Sequence, residues 1–255
     1  MKKYELEICV DSVESAIIAK NGGADRIELC GHLIIGGVTP SIELFKEIRN
    51  SVDIPVNVLI RPRFGDFLYT EHEFNIMVNE VRMFQREKAD AVVIGCLSPD
   101  GALDIERMKR LVECAGDMRK TLHRAFDVCS DPFLTMWQAK ELGIDRILTS
   151  GQKNSCNDGM ELLSELAKEQ SGVDIMAGSG VDPEVIGKFI EKTPITSFHM
   201  SAKTIVQSEM LFRNDDVSMG MREINEFEIW RTDFETVAAA RKILDDAQSK
   251  LDRLA

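Results

Sequence analysis

The sequence predicts an α/β fold, a single (β/α)8 TIM barrel spanning residues 1–255, with an extended segment after the eighth strand and a C-terminal helix. Two observations lead there. Short apolar runs alternate with longer amphipathic segments from end to end, which implies parallel strands joined by helical crossovers. The 255 residues then suit eight such units, the usual size of a closed barrel. A doubly wound open sheet is the runner-up, but a glycine-rich dinucleotide turn would follow its first strand, and VDSVES stands there instead.

The strands are read as YELEICV (4–10), DRIEL (25–29), PVNVLI (55–60), AVVIGC (91–96), KTLHR (120–124), DRILTS (145–150), VDIMAG (173–178) and ITSFHM (195–200). Helices lie between them. Asp11 with Glu14 reads as a capping box for the first helix, and Gly22 as its C-cap. Asp131-Pro132 and Asp182-Pro183 each set a capping carboxylate before a proline at the first helical position. Residues 204–229 carry no sustained period, and the last helix reads from Thr232, with Glu235 completing a capping box. The motif DRI at 25–27 recurs at 145–147, a spacing suited to a half-barrel duplication.

In a barrel, strand side chains alternate between the closed interior and the surrounding helices. In GADRIELC (23–30), Ile27 and Leu29 face the helices, which sends Arg26, Glu28 and Cys30 inward. The same parity sends Glu7 and Cys9, Asn57 and Arg61, Thr121 and His123, and His199 and Ser201 inward from other strands. Barrel interiors are usually filled by branched apolar side chains, whereas this one is predicted polar. Such charges require partners or a ligand, and Arg61 bridging Glu7 and Glu28 is one candidate pairing.

Near the carboxyl ends of the strands these residues become a candidate site. His123 is the acid/base candidate, because its unperturbed pKa lies near neutrality, and it clusters with Arg124 and Asp127. Glu7, Glu28 and His199 are further catalytic candidates, with Arg61 as an anion clamp. Arg63 in RPRFGDFLYT could share that task while Phe67 and Tyr69 cover a ligand, an arrangement equally suited to oligomer contact. The turn Gly178, Ser179, Gly180, leading into a helix, reads as a phosphate cradle that Ser201 and Lys203 complete; Ser150 joins the ligand-binding set. His32 and His72 fall in loops at the surface.

Composition narrows the function classes. A net charge of −12 repels polyanions, so nucleic acid is excluded as a partner. No apolar run approaches the roughly 20 residues of a membrane span, and MKKYELEICV has no signal core. The six cysteines are scattered without a CxxC pair, so a cytoplasmic protein with reduced thiols is expected. Cys9 and Cys30, with Met210, Met219 and Met221 further on, supply soft donors of the kind Cu(I) prefers, although methionines mostly fill cores.

Together, LEICVDSVESA, NGGADRIELC, GGVTPS, IPVNVLIRPRFGDFLY, LHRAFDVCSDP, ELGIDRILTSGQ and GSGVDPE resemble the CutC copper-homeostasis family, and RNDDVSMG (213–220) fits that family's tail. The resemblance implies a cytoplasmic barrel, often oligomeric with a dimer favoured, that is linked to Cu(I) handling. It carries over to Glu7, Glu28, Cys30, Arg61, His123, Arg124, Asp127, Ser150, Gly151 and Gly180, whereas Met200 departs from the common pattern. Three functions are weighed: a copper-binding protein using Cys9 and Cys30, an enzyme acting on a small anionic or phosphorylated molecule, and an interaction scaffold.

Overall fold

A computed structural model describes residues 4–214, 216, 217, 219 and 225–254. Eight parallel strands close a barrel in sequence order: β1 Glu5–Val10, β2 Arg26–Leu29, β3 Val56–Leu59, β4 Ala91–Ile94, β5 Arg119–Leu122, β6 Arg146–Thr149, β7 Asp174–Ala177 and β8 Ser197–Met200. Between them run α1 Val13–Asn21, α2 Ile42–Ser51, α3 Glu71–Arg86, α4 Ile105–Ala115, α5 Pro132–Glu141, α6 Met160–Lys168 and α7 Pro183–Lys192, and α8 Phe234–Leu254 closes the chain. Asp131 and Asp182 cap α5 and α7 as the sequence predicts, each accepting a backbone N–H from the first turn. No helix among the described residues is long and apolar enough to cross a membrane.

Four local expectations are corrected. Ser12, in extended backbone, caps α1 by accepting the Ser15 N–H, while the Asp11 carboxylate is drawn across to the Leu33 N–H at 3.1 Å. Asp233 caps α8 by accepting the Thr236 N–H at 2.8 Å, because Thr232 is still paired in a strand. That strand, β10 (Glu228–Thr232), lies antiparallel to β9 (Lys203–Gln207), so the aperiodic segment contains a hairpin. Met210 and Met219 are exposed, and Met221 lies outside the described residues, as do parts of the 213–220 tail. His32 is exposed in a loop, whereas the equally exposed His72 is in the first turn of α3.

The alternation rule holds inside the barrel. Leu6, Ile8, Val10, Ile27 and Leu29 pack outward into the main apolar core, and Glu7, Arg26, Glu28, Asn57, Thr121, Arg146 and His199 are buried polar groups of the strands. They pair in a chain that climbs the barrel. Asp174 on β7 meets Arg146 at 2.5 Å, and Arg146 meets Glu5 at 2.6 Å. Glu5 meets Arg26 at 2.6 Å, and Arg26 meets Glu7, again at 2.6 Å. Glu7 then accepts from Asn57 Nδ2 at 2.7 Å and pairs with His199 Nδ1 at 2.8 Å. The bridging arginine is therefore Arg26, the register partner of Glu7 on the neighbouring strand, and not Arg61, which lies beyond the end of β3.

Removing one partner of such a buried pair leaves a carboxylate that the interior cannot solvate. Arg26→Ala is expected to destabilise the fold by about 3–5 kcal/mol in denaturant unfolding. Lys46→Ala, which breaks an exposed pair with Glu43, is expected to change nothing measurable. Equal small effects would remove the buried chain from the account of stability.

Candidate functional site

A cavity of about 360 Å³ opens at the carboxyl ends of the barrel strands. Of the sequence-predicted residues it brings together Cys9, Glu28, Cys30, Arg61, His123, Ser179, Gly180, His199, Ser201 and Lys203. Glu7, Arg63, Asp127, Ser150 and Gly178 stand outside its lining.

Glu7 lies one layer below the cavity, 1 % exposed. Burial alone would raise its pKa, but Arg26, the hydrogen bond with His199 and the Arg146 charge together hold the carboxyl well below the usual range. Glu7 is thus a fixed anion that orients His199. Burial would likewise strip His199 of its proton; the Cys9 sulfur, Glu28 and Glu7 outweigh it and keep the ring protonated. Its Nε2 lies 3.5 Å from Glu28. Glu28 has no arginine partner among the described residues, and burial, reinforced by the neighbouring Glu7 charge, pushes its pKa up to about 7 despite His199. Two carboxyl groups flanking one imidazole are therefore held in opposite protonation regimes.

His123 behaves unlike the expected proton shuttle. Its Nδ1 accepts the Ala125 N–H at 3.1 Å, and burial together with the Arg61 charge pushes its pKa down to about 3. The ring is neutral near pH 7, with its proton on Nε2, and its centroid lies 4.7 Å from that of the Phe67 ring, the two planes tilted by 41°. Arg61 lines the cavity but braces loops as well: it donates to the carbonyls of Gly36, Gly37 and Gly65 and lies 5.0 Å over Phe67. Gly37 must be a glycine, since its φ is +82° and a Cβ would stand 2.9 Å from Leu59.

Four of the expected site residues, Asp127 among them as a catalytic candidate, are engaged in contacts within the fold. Arg63 is held by Asp66 at 2.9 Å within its own loop and by Glu73 at 2.6 Å in the first turn of α3. Asp127 accepts from the Thr149 hydroxyl, the Ser150 N–H and hydroxyl, and Arg124 Nε, so its lone pairs are occupied. Ser150 is consumed in that same cluster. Gly178 lies against Leu148, where a Cβ would approach to 2.4 Å. Arg124, grouped with these residues in the sequence but given no separate role, emerges as a cavity residue whose side chain is 43 % exposed and whose guanidinium is aligned by Asp127. Leu148 also lines the cavity, and the parity of Arg146 two residues earlier would have found it.

The glycine turn presents backbone, as expected, but not a helix terminus. Asp182 already occupies the first turn of α7, accepting the Val185 N–H at 2.8 Å. Ser179 and Gly180 both take φ of +71°, and the N–H groups of Ser179, Gly180 and Val181 have no hydrogen-bond partner among the described residues. Lys203 Nζ reaches the same rim, seated 3.9 Å over the Trp230 ring from β10.

Cys9 and Cys30 share the cavity wall, but Cys30 is a poor resident metal ligand. Burial, then Cys9, Glu28 and Asp11, push its thiol pKa well above the ordinary value, and its Sγ lies 3.6 Å from the Val10 carbonyl. Among the described residues no three His, Cys, Asp or Glu side chains are arranged to hold a metal ion.

The CutC family model matches residues 4–204, which span all eight barrel strands. The chain belongs to the CutC family. A family protein CutC of Parabacteroides distasonis is 46% identical over 242 residues, 93% of this chain and 99% of the relative. The human copper homeostasis protein cutC homolog is 41% identical over 218 residues, 85% of this chain and 80% of its own. The crystal structure of a Streptococcus agalactiae protein described as a copper homeostasis CutC superposes with a TM-score of 0.74 at 28% identity, covering 78% of this chain and 98% of that one. The CutC match stops at residue 204, so β10, whose Trp230 seats Lys203, lies beyond it.

The protonation of Glu28 has a sign that can be tested. Its folded pKa of about 7 exceeds the ordinary 4.5, so the folded state holds a proton that the unfolded chain has released. Stability from this group is present below the unfolded value and is lost as pH rises through the folded one. Glu28→Gln cannot ionise and is expected to gain on wild type by on the order of 2 kcal/mol between about pH 5 and about pH 8, measured by denaturant unfolding. A difference independent of pH would contradict the assignment.

Proposed function

We propose that the barrel mouth binds a small anionic molecule and performs proton transfer on it, with Glu28 and His199 as the acid/base pair and Glu7 orienting His199. One observation carries this reading: a buried carboxyl poised near neutrality faces a cavity rimmed by Arg61, Arg124, Lys203 and loop amides that have no partner among the described residues. Protonatable groups balanced near the working pH are what general acid/base chemistry requires. Three cationic side chains and unpartnered N–H groups at one rim favour a carboxylate or a phosphate monoester.

Titration of the chain with ethyl phosphate in a calorimeter tests the anion site. Lys203→Ala and Arg124→Ala are each expected to weaken binding about tenfold, the equivalent of ~1.4 kcal/mol, and rising salt to weaken it further. Absence of saturable binding, or variants that bind like wild type, would refute the rim assignment.

The names of the relatives support a second reading in which Cu(I) is cargo. Its structural support is that Cys9 and Cys30 share the cavity wall with His199 and Met200, soft and borderline donors on one surface. Cys30 would have to release a strongly held proton on loading, so Cu(I) binding on this reading strengthens with pH. Anaerobic competition against a chromophoric chelator is expected to show one-to-one binding that is lost in a Cys9→Ser, Cys30→Ser double variant. Binding unchanged by the double substitution would take the thiols out of copper handling. The six free cysteines support, on either reading, a reducing compartment such as the cytoplasm, where they would persist as thiols.

A further inference from the structure

His123 has one ring nitrogen engaged and one unmatched. Nδ1 accepts the Ala125 N–H at 3.1 Å, which places the proton of the neutral ring on Nε2. Nε2 is buried and has no hydrogen-bond partner among the described residues, although the residue is only 4 % exposed. A buried N–H without an acceptor is unfavourable, and native structures seldom retain one without a use. The ring has little freedom to find an acceptor elsewhere. At Gly95, just past β4, even a Cβ would come within 2.5 Å of His123 Cε1, so one edge is seated against backbone. Phe67 packs over the ring and screens it from water, with Arg61 on Phe67 in turn. The outcome is a rigid, desolvated N–H donor in the wall of the cavity that also exposes Glu28.

We propose that His123 Nε2–H donates to a carbonyl oxygen of the ligand, and that the reaction at this mouth is proton transfer at the carbon beside that carbonyl, with Glu28 taking the proton. The substrate class is a small aldehyde or ketone that also carries a phosphate or carboxylate. The inference rests on the acid/base reading above and adds to it the bond that changes. The C–H bond breaks and its proton passes to the Glu28 carboxylate. Its electron pair becomes the carbon–carbon double bond, and the carbonyl π pair moves to oxygen. That oxyanion is stabilised by His123 Nε2–H, which stays on nitrogen, since a neutral imidazole is a donor matched to an enolate oxygen. Return of the proton from Glu28 to the same or the adjacent carbon, with a hydroxyl proton moving in the second case, restores the carboxylate. No oxidant, reductant or further reactant is needed.

The test uses the metal-free full chain, ¹⁵N-labelled at histidine, with two probes: 2-phosphoglycolohydroxamate, which is planar and offers an enolate-like oxygen, and ethyl phosphate, which has the anion but no carbonyl. The hydroxamate is expected to bind at least about tenfold tighter and to move the His123 Nε2–H resonance downfield. In His123→Phe, which keeps the stacking on Phe67, that preference is expected to vanish while ethyl phosphate affinity persists. The resonance is read on wild type, so a variant that fails to fold does not decide the matter. Equal affinity for both probes with an unmoved His123 resonance would overturn the carbonyl assignment and leave the anion site standing. Failure of both probes to bind would overturn the anion site and this inference with it.

Discussion

The structure depends on a single buried anion, the Glu7 carboxylate. Inside a closed barrel an unpaired carboxylate would neutralise or prevent folding. Glu7 does neither, because Arg26, Asn57 and His199 from three different strands converge on its two oxygens. The convergence ties β1 to β2 and β8, its neighbours on either side, and reaches β3 beyond. It also sets the chemistry above. By fixing His199 Nδ1, Glu7 aims Nε2 at Glu28, and its own charge makes a second carboxylate harder to form there.

The lower barrel and its mouth use the same residue types for opposite purposes. Below, arginines and carboxylates match one another from Asp174 up to Glu7, so little is left to bind anything. Above, the matching stops: Glu28 has no arginine, His123 has no acceptor for Nε2, and the Ser179–Val181 amides donate to nothing among the described residues. Barrel enzymes place their sites at this end because the loops there vary while the strands hold position. The two histidines divide accordingly. The Cys9 sulfur and two carboxyls raise the His199 pKa, whereas burial and Arg61 lower that of His123. They would exchange roles only if their neighbours were exchanged.

Much of this was legible in the sequence because a strand's side-chain period is two. Once Ile27 and Leu29 are assigned to the helices, Arg26, Glu28 and Cys30 must point inward, and the parity of Glu7, Asn57, His123 and His199 follows. Parity gives a face but no height and no partner. It could not choose between Arg26 and Arg61 as the bridge to Glu7, because that depends on the register between β1 and β2. Nor could it show that Asp127 is saturated by donors from the β6 loop, or that burial drives His123 away from neutrality. The β9–β10 hairpin escaped for a different reason: all five β9 residues are exposed, so no buried face imprints an apolar alternation on that segment.

The central claim is that Glu7 and Glu28, flanking one imidazole, sit in opposite protonation regimes. A ¹³C titration of the side-chain carboxyl resonances of glutamate-labelled protein, assigned through Glu7→Gln and Glu28→Gln, tests it directly. The account predicts a Glu28 resonance that titrates near neutrality and a Glu7 resonance that stays that of a carboxylate until well below the ordinary range. Two resonances that titrate together at the ordinary carboxyl pH would contradict it.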